Sequence, residues 1–427
     1  MNHKPFSPVR PARLFLVSFS LFTLLTSCGT ATGDELVFTV TVTNPCGTDR
    51  RDVPVVINLH ETLGKKAATV LSVEVTVPDG SPSGLIPSQL DDLDGDLIPD
   101  ELAFTADIPA RSTATFKVAC SAVSPQRAFP PRTAAFIKVW DRKYRYPYIN
   151  SIEYQGRNTP LSMYDAIYGH GAQWESELVG FRVYMDHRQS IDIYGKPRPQ
   201  LVLDSTNFYS TREDMAAGRG CDILFAGPSV GAGSFRGYVD EQPTYVDSVE
   251  ARGQRVIASG PVRAIVEVTD RNWLYCDRLL QMRQRYTIYA GHRDVQVDVQ
   301  LRGEDVDGLA FCTGVQKLEM ENEGLMDVTS GLVGSWGRNV PDKAAPDLIE
   351  GVGLGVTVDS PYLTSKKEDD FNYLTILRPA DGHIRYHLAI CALMEEDGFK
   401  DSKGWFNWLR DWQKELSQPV KVKVSKR

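Results

Sequence analysis

From residue 35 onward, apolar and polar residues alternate one by one through run after run, the period of strands lying half in a core. LVFTVTVTN sets Leu36, Phe38, Val40 and Val42 against Val37, Thr39 and Thr41, and VPVVINL, VLSVEVTV and TATFKVA follow with turn residues between them. These short strands predict a small β-sandwich over residues 35–124. The Pro-rich SPQRAFPPR, ending at Arg132, reads as a linker over 125–132. Across 133–427, GPVRAIVEVTD, CDRLLQMRQRYTIYAG and HRDVQVDVQLRG predict long strands of an antiparallel sheet, one face packed and the other wet or ligand-facing. Arg263, Arg283, Arg285 and Arg293 would lie on that polar face. GVGLGVTV, YLTILRP and IRYHLAICAL add strands, whereas Trp405, Trp408, Leu409, Trp412 and Leu416 recur at helical spacing up to Pro419. That tail predicts one amphipathic helix docked on the sheet. The fold class is all-β.

The first 27 residues follow another rule. Lys4, Arg10 and Arg13 precede the apolar run Leu14 to Leu25, then Thr26-Ser27-Cys28. A basic leader, a short apolar run and small residues make an export signal, too short to span a bilayer stably. Leu25-Thr26-Ser27-Cys28 resembles the lipobox of bacterial lipoproteins, which implies acylation of Cys28, a tether over 28–34 and attachment to the cell envelope through the lipid alone.

A formal net charge of −8 with 42% hydrophobic residues describes a folded, mildly acidic chain without the basic field that nucleic acid requires. Local basic patches could still grip an acidic ligand. Cys46, Cys120, Cys221, Cys276, Cys312 and Cys391 form no CxxC or CxxH pair, which argues against zinc. An oxidising compartment permits disulfides, Cys46 with Cys120 being one pairing to consider.

Within the first domain, QLDDLDGDLIPDELAF repeats acids at Asp92, Asp94, Asp96 and Asp100. This spacing lets alternate carboxylates of a loop converge on one hard cation, with the Ile98 carbonyl as a further oxygen; structural calcium is the expectation, and no organic cofactor is. Ala103 stands at the twelfth position, where an EF-hand needs a bidentate Glu. A solvated acidic turn, or acids bonded to the neighbouring domain, would show the same letters.

Chemistry concentrates in DAIYGHGAQWESELVGFRVYMDHRQSIDIYGK, Asp165 to Lys196. Acids, bases, cations and an aromatic platform sit together there. Upstream, Trp140, Tyr144, Tyr146, Tyr148 and Tyr154 alternate with Arg142, Lys143 and Arg145, as in a half-buried strand, although such rings also stack on sugars. β-Elimination beside a carboxylate needs a cation and a base: Arg182, Arg188 or Lys196, with Tyr184, His187 or His170. A period-two strand would set Arg182, Tyr184 and Asp186 on one face. Hydrolysis needs two carboxylates, from Glu175, Glu177, Asp186 and Asp192. The catalytic candidates are therefore His187, Arg188, Tyr184, Arg182, His170 and Glu175, with Trp174, Glu177, Asp186, Asp192 and Lys196 to hold substrate. No G-x-S-x-G elbow or phosphate loop occurs, and GVGLGV sits in a strand pattern rather than before a helix.

YGHGAQWESELVGFRVYMDHRQSIDIYGK, QLDDLDGDLIPDELAF with DIPARSTATF, and RAIVEVTD with QRYTIYAGHRDVQVDV resemble the family called domain of unknown function 4861, over nearly the whole mature chain. That resemblance implies an exported protein of Bacteroidota or related bacteria, encoded beside pectin- and uronate-degrading enzymes, with a galactose-mutarotase-like β-supersandwich. An acidic oligosaccharide or polysaccharide is the partner so implied. The expected function is cleavage of uronate-containing fragments by β-elimination or hydrolysis; a sugar mutarotase or epimerase and a non-catalytic glycan-binding lipoprotein are the alternatives, since one fold hosts several chemistries.

Overall fold

The computed structural model describes residues 36–77, 84–125, 128–141, 143, 146–155 and 165–426. The export signal, Cys28 and the tether lie outside them, as do Arg142, Tyr144 and Arg145. Residues 34–427 form one compact unit built of antiparallel sheets. No helix among the described residues is long and apolar enough to cross a membrane.

Two cores organise it. In the first, Lys421–Lys426, Leu36–Thr43, Thr113–Ser121, Ser72–Thr76 and Leu85–Ile86 pair in that order. This sheet faces a three-stranded one, Arg50–Asn58, Glu101–Ile108 and Ser88–Asp91. Phe38, Val40 and Val42, the alternate residues of the first strand, are buried with Val55, Phe104 and Phe116. Its edge strand is the C-terminal KVKVSK, which follows the predicted helix and pairs residue by residue with Phe38–Thr43. The alternation in KVKV was too short to announce it.

The second core lies between a nine-stranded sheet and two smaller ones. The large sheet runs Ser151–Gln155, Ala251–Ala258, Arg263–Tyr275, Arg278–Tyr289, Asp294–Arg302, His383–Ala392, Glu350–Val358, Val333–Asn339 and Met320–Met326. Opposite it stands a six-stranded sheet ordered Cys221–Asp222, Ile191–Gly195, Gly180–Tyr184, Ile167–Ser176, Thr133–Val139 and Tyr148–Ile149. A five-stranded sheet, ordered Gln242–Thr244, Arg236–Val239, Phe311–Gln316, Asn372–Leu377 and Leu363–Glu368, completes the layer. Trp174, Phe181, Tyr286 and Val266 meet between the layers.

The helix Ser402–Leu416 starts where Asp401 caps the Gly404 amide and buries Trp405, Leu409 and Trp412. It lies on Val333–Asn339 and Glu350–Val358. GVGLGV is the floor for this helix: a Cβ on Gly355 would stand 2.2 Å from Leu409, and one on Gly353 2.9 Å from Trp405. Small residues there serve close packing, worth roughly 2–5 kcal/mol per large side chain sealed.

The polar face of the long strands, expected to be wet or ligand-facing, is covered at one end, while Arg283 keeps 39% of its side-chain exposure beside a cavity. Arg263 and Glu267 are buried because the first sandwich and its acidic loop cover them: Arg263 bonds Asp91 and Glu101, both at 2.7 Å, and Arg255 and Arg285 donate to the Leu93 carbonyl. Arg293 leaves this group and pairs with Glu395 at 2.9 Å. All six cysteines in the described residues are free thiols, so Cys46 and Cys120 are not bridged.

Candidate functional site

Strand period and register build a charged cavity on the outer face of the six-stranded sheet. In Gly180–Tyr184, Phe181 and Val183 turn into the core, which sends Arg182 and Tyr184 outward. Arg182 stands directly across from Asp192, and one strand further Tyr194 faces Asp222, so the two acids lie diagonally over adjacent strands. The result is a network around one guanidinium. Arg182 Nη2 donates to Asp192 at 2.6 Å and meets Asp222 at 3.5 Å; the Tyr184 hydroxyl donates a short hydrogen bond to Asp192. Phe208 and Tyr209 place their rings 4.5 and 5.4 Å from the same guanidinium.

His170 reaches this place through a bulge. The pairing of Ile167–Ser176 with Thr133–Val139 slips between Tyr168 and Gln173, where Gly169 and His170 both take left-handed φ values, +80° and +64°. A Cβ on Gly171 would strike the Val183 carbonyl at 1.8 Å, so the Gly-His-Gly run is demanded by the bulge. His170, Arg182, Tyr184, Arg188, Asp192 and Asp222 all line the cavity, of about 560 Å³.

Its acids sit in different surroundings. Burial, then the neighbouring charge of Asp192, pushes the Asp222 carboxyl well above the ordinary range against the pull of Arg182. Asp192 lies in a direct ion pair with Arg182 at 2.6 Å, whereas Asp222 stands 3.5 Å from the same guanidinium. Burial would lower the Arg182 pKa, but Asp192 and its neighbours hold it above normal, so the cation persists. Cys221 lines the same wall, yet burial and Glu350 push its thiol up, which leaves no ready thiolate.

The other expected residues go elsewhere. Trp174 is fully buried between Phe181 and Tyr286 and has no face for a sugar. Glu175 and Lys196 are fully buried against each other at 2.5 Å; the ammonium also donates to the Ser176 and Gln200 carbonyls, and Glu175 accepts the Val202 and Leu203 amides. They brace the short helix Leu203–Thr206 rather than a ligand. Glu177 bonds Arg132, which also grips Asp52, at the seam with the first sandwich. Asp186 caps the Arg188 amide and pairs with its guanidinium, and His187 points outward, its ring edge-on to Tyr245. An outward residue between two engaged neighbours is what the tight turn after Tyr184 produces.

Asp222, Phe208 and Tyr209 were not singled out in the sequence. CDILF carried a usable signal, because an acid inside an apolar run needs a buried partner. The partner itself, Arg182, is forty residues away.

In the acidic loop, Asp92, Asp94 and Asp100 each bring a carboxylate oxygen within 4.8 Å of the others, the group among the described residues that could hold an ion. Asp96 is not in it; its carboxylate accepts the Ile98 amide. Against a slight upward push from burial, the Gly95 and Leu97 amides hold Asp92 below the usual carboxylate range. A second cavity, about 380 Å³, lies on the large sheet near this loop, but its arginines are already engaged: Arg263 by Asp91, Arg285 by Glu267 and Arg385 by Asp298.

Fold and site define an all-β chain whose larger body carries a cavity with two carboxyls over one buried arginine. The chain belongs to the family described as Domain of unknown function (DUF4861), matched over residues 42–422. No curated protein matches it. Two solved structures from Enterococcus faecalis align with it, each at 9% identity. A protein in the glycosyl hydrolase family 38 gives a TM-score of 0.46, with 92% of this chain covering 48% of that one. An alpha-mannosidase from strain V583 gives 0.43, with 92% covering 46%. This chain therefore spans about half the length of either.

Proposed function

We propose that the chain is a glycan-cleaving enzyme of the cell envelope acting on uronate-containing, pectin-like fragments, with its centre at Asp222, Asp192, Arg182 and Tyr184. The observation that carries this reading is geometric: two acids, Asp192 and Asp222, meet one buried guanidinium at the wall of one cavity, and burial pushes the Asp222 carboxyl toward its protonated form, as a general acid needs. Asp222 donates its proton to the leaving oxygen. Asp192 is the partner that would orient water or attack, as hydrolysis requires. Elimination is the second reading: Tyr184, with His170 beside it, supplies a base, and Arg188, 4.9 Å from its ring and half-buried in its pair with Asp186, supplies the cation at the cavity wall for a uronate carboxylate. A free-sugar epimerase would use the same acids, and a non-catalytic binder would use the cavity without them.

Incubation with oligosaccharides from homogalacturonan and rhamnogalacturonan tests this. New reducing ends with ultraviolet absorbance of an unsaturated uronate mean elimination; reducing ends alone mean hydrolysis. Binding without products, or products undiminished in Asp222→Asn, rejects the catalytic assignment. The acidic loop we assign to a structural calcium held by Asp92, Asp94 and Asp100. The leader we assign to lipidation at Cys28, with incorporation of labelled fatty acid that is lost in Cys28→Ser as its check.

A further inference from the structure

A row of aromatic rings leads from solvent into the cavity, and we infer that it is an extended track for a glycan chain, so that the site acts within an oligosaccharide several sugars long rather than on a free sugar. This rests on the glycan reading above and narrows it. The outermost ring, Trp140, is 57% exposed and lies 5.0 Å from Tyr146. Tyr146 stacks on Tyr168 at 3.7 Å, and Tyr168 meets Tyr209 at 6.4 Å. Tyr209, 45% exposed, lines the cavity and lies 5.8 Å from His170, which is 6.3 Å from Tyr184 on Asp192. Each step is about the width of one ring, without a break.

Large rings ordinarily finish in a core. All seven tryptophans are described, and six are buried or half-buried; Trp140 alone is exposed. Its amide donates to the Ala166 carbonyl at 2.8 Å, which fixes the platform before anything binds. Tyr146 and Tyr168 are half-buried and cover each other's faces, whereas Trp140 and Tyr209, on either side of that stack, stay exposed. Leaving their area in water forgoes roughly 25 cal/mol per Å², so two exposed rings joined through one stack imply something that covers them.

The chemistry of the row selects a sugar chain over a protein. Its members are Trp, Tyr and His, rings with polar edges, while the exposed aliphatic residues Leu71, Leu97, Val123 and Val328 belong to none of the ring contacts. Sugars offer apolar C–H faces rimmed by hydroxyls, which ask for flat faces with hydrogen-bonding edges. Continuity with the acid pair supplies the direction: one end of a bound chain lies over Asp222 and Asp192, and the rest runs along Tyr209, Tyr168 and Tyr146 to Trp140.

The test uses the mature chain and its Trp140→Ala and Trp140→Phe variants with disaccharide, tetrasaccharide and octasaccharide fragments of homogalacturonan and rhamnogalacturonan. Cleavage by fragment length and quenching of tryptophan fluorescence are both read. Expected is a loss of about three- to tenfold in kcat/KM for the octasaccharide in Trp140→Ala, with the shortest cleaved fragment unchanged, the melting temperature unchanged and Trp140→Phe largely restored. A loss equal at every length, or none, overturns the track. If no fragment is cleaved, the catalytic reading fails separately, and quenching decides: quenching by the octasaccharide that disappears in Trp140→Phe and is retained by Asp222→Asn supports the track, and its absence overturns it.

Discussion

Two ion-pair systems come from the same thirty residues and end in opposite conditions. Glu175 and Lys196 are fully buried, and every proton of the ammonium has an oxygen. Arg182 and Asp192 are nearly as buried, yet their network opens at Asp222, whose side chain keeps 24% of its exposure and faces the cavity. A closed network spends its charge on holding the backbone; an open one keeps a proton within reach of a ligand. Residue type alone does not separate them, since each is a basic side chain gripping an acid.

The largest expected effect is on the open system. Asp222→Asn should lower turnover by about 10²- to 10⁴-fold, the usual share of a positioned acid, with the fold intact by circular dichroism. Lys196→Ala should do the reverse, costing about 3–5 kcal/mol in denaturant unfolding because Glu175 is left buried and unpaired, with the surviving folded fraction still active. Equal loss of stability in both variants would erase the distinction.

The pH dependence sharpens it. Asp222 binds its proton more tightly folded than unfolded, so its contribution to stability is full below the unfolded carboxylate range and is lost as pH rises through the raised folded value. Asp222→Asn imitates the protonated form and should flatten that decline, while abolishing the alkaline limb of the rate profile. The seam behaves separately. Burial would lower the pKa of His292, but Asp294 and the Asp52 carbonyl raise it from 6.5 to about 9. Its stabilisation is full below pH 6.5 and fades as pH climbs through about 9, a loss that unfolding curves of His292→Gln should not show.

The smallest effect concerns the acidic loop. Chelation should lower the melting temperature by a few degrees in the parent and not in Asp92→Asn, Asp94→Asn, leaving turnover of the folded enzyme alone. A chelator that stops catalysis without moving the melting temperature would transfer the ion to the cavity.

Much of the architecture is written locally. Alternation in LVFTVTVTN, VRAIVEV and DVQVDVQL named strands because a side chain's face depends on its own position in the pleat. The tryptophan spacing named the helix, and GVGLGV was rightly kept from a nucleotide fold, though that it is the floor for that helix shows only in three dimensions. The stretch from Asp165 to Lys196 supplies Arg182, Arg188 and Asp192, half of the cavity's charged wall, with Tyr184 and His170, while Asp222, Asp342 and Lys343 come from elsewhere. What the letters could not say is which of its charges would be sealed. Glu175 read as catalytic and Trp174 and Lys196 as substrate-binding, and all three are interior; Arg263 read as part of a wet or ligand-facing surface and lies beneath the first sandwich. Asp222 joined the site only because Cys221–Asp222 pairs with the strand carrying Tyr194.

The sequence by itself thus determined the elements, the all-β class and the neighbourhood of the chemistry, since period and turn residues act over a few positions. Tertiary structure decided which acids meet in the cavity, which aromatic rings stay in water and which ion pairs are closed. Those properties follow from burial and from partners on other strands and loops, ten residues away for Asp192 and forty for Asp222 from Arg182, and no local pattern carries them.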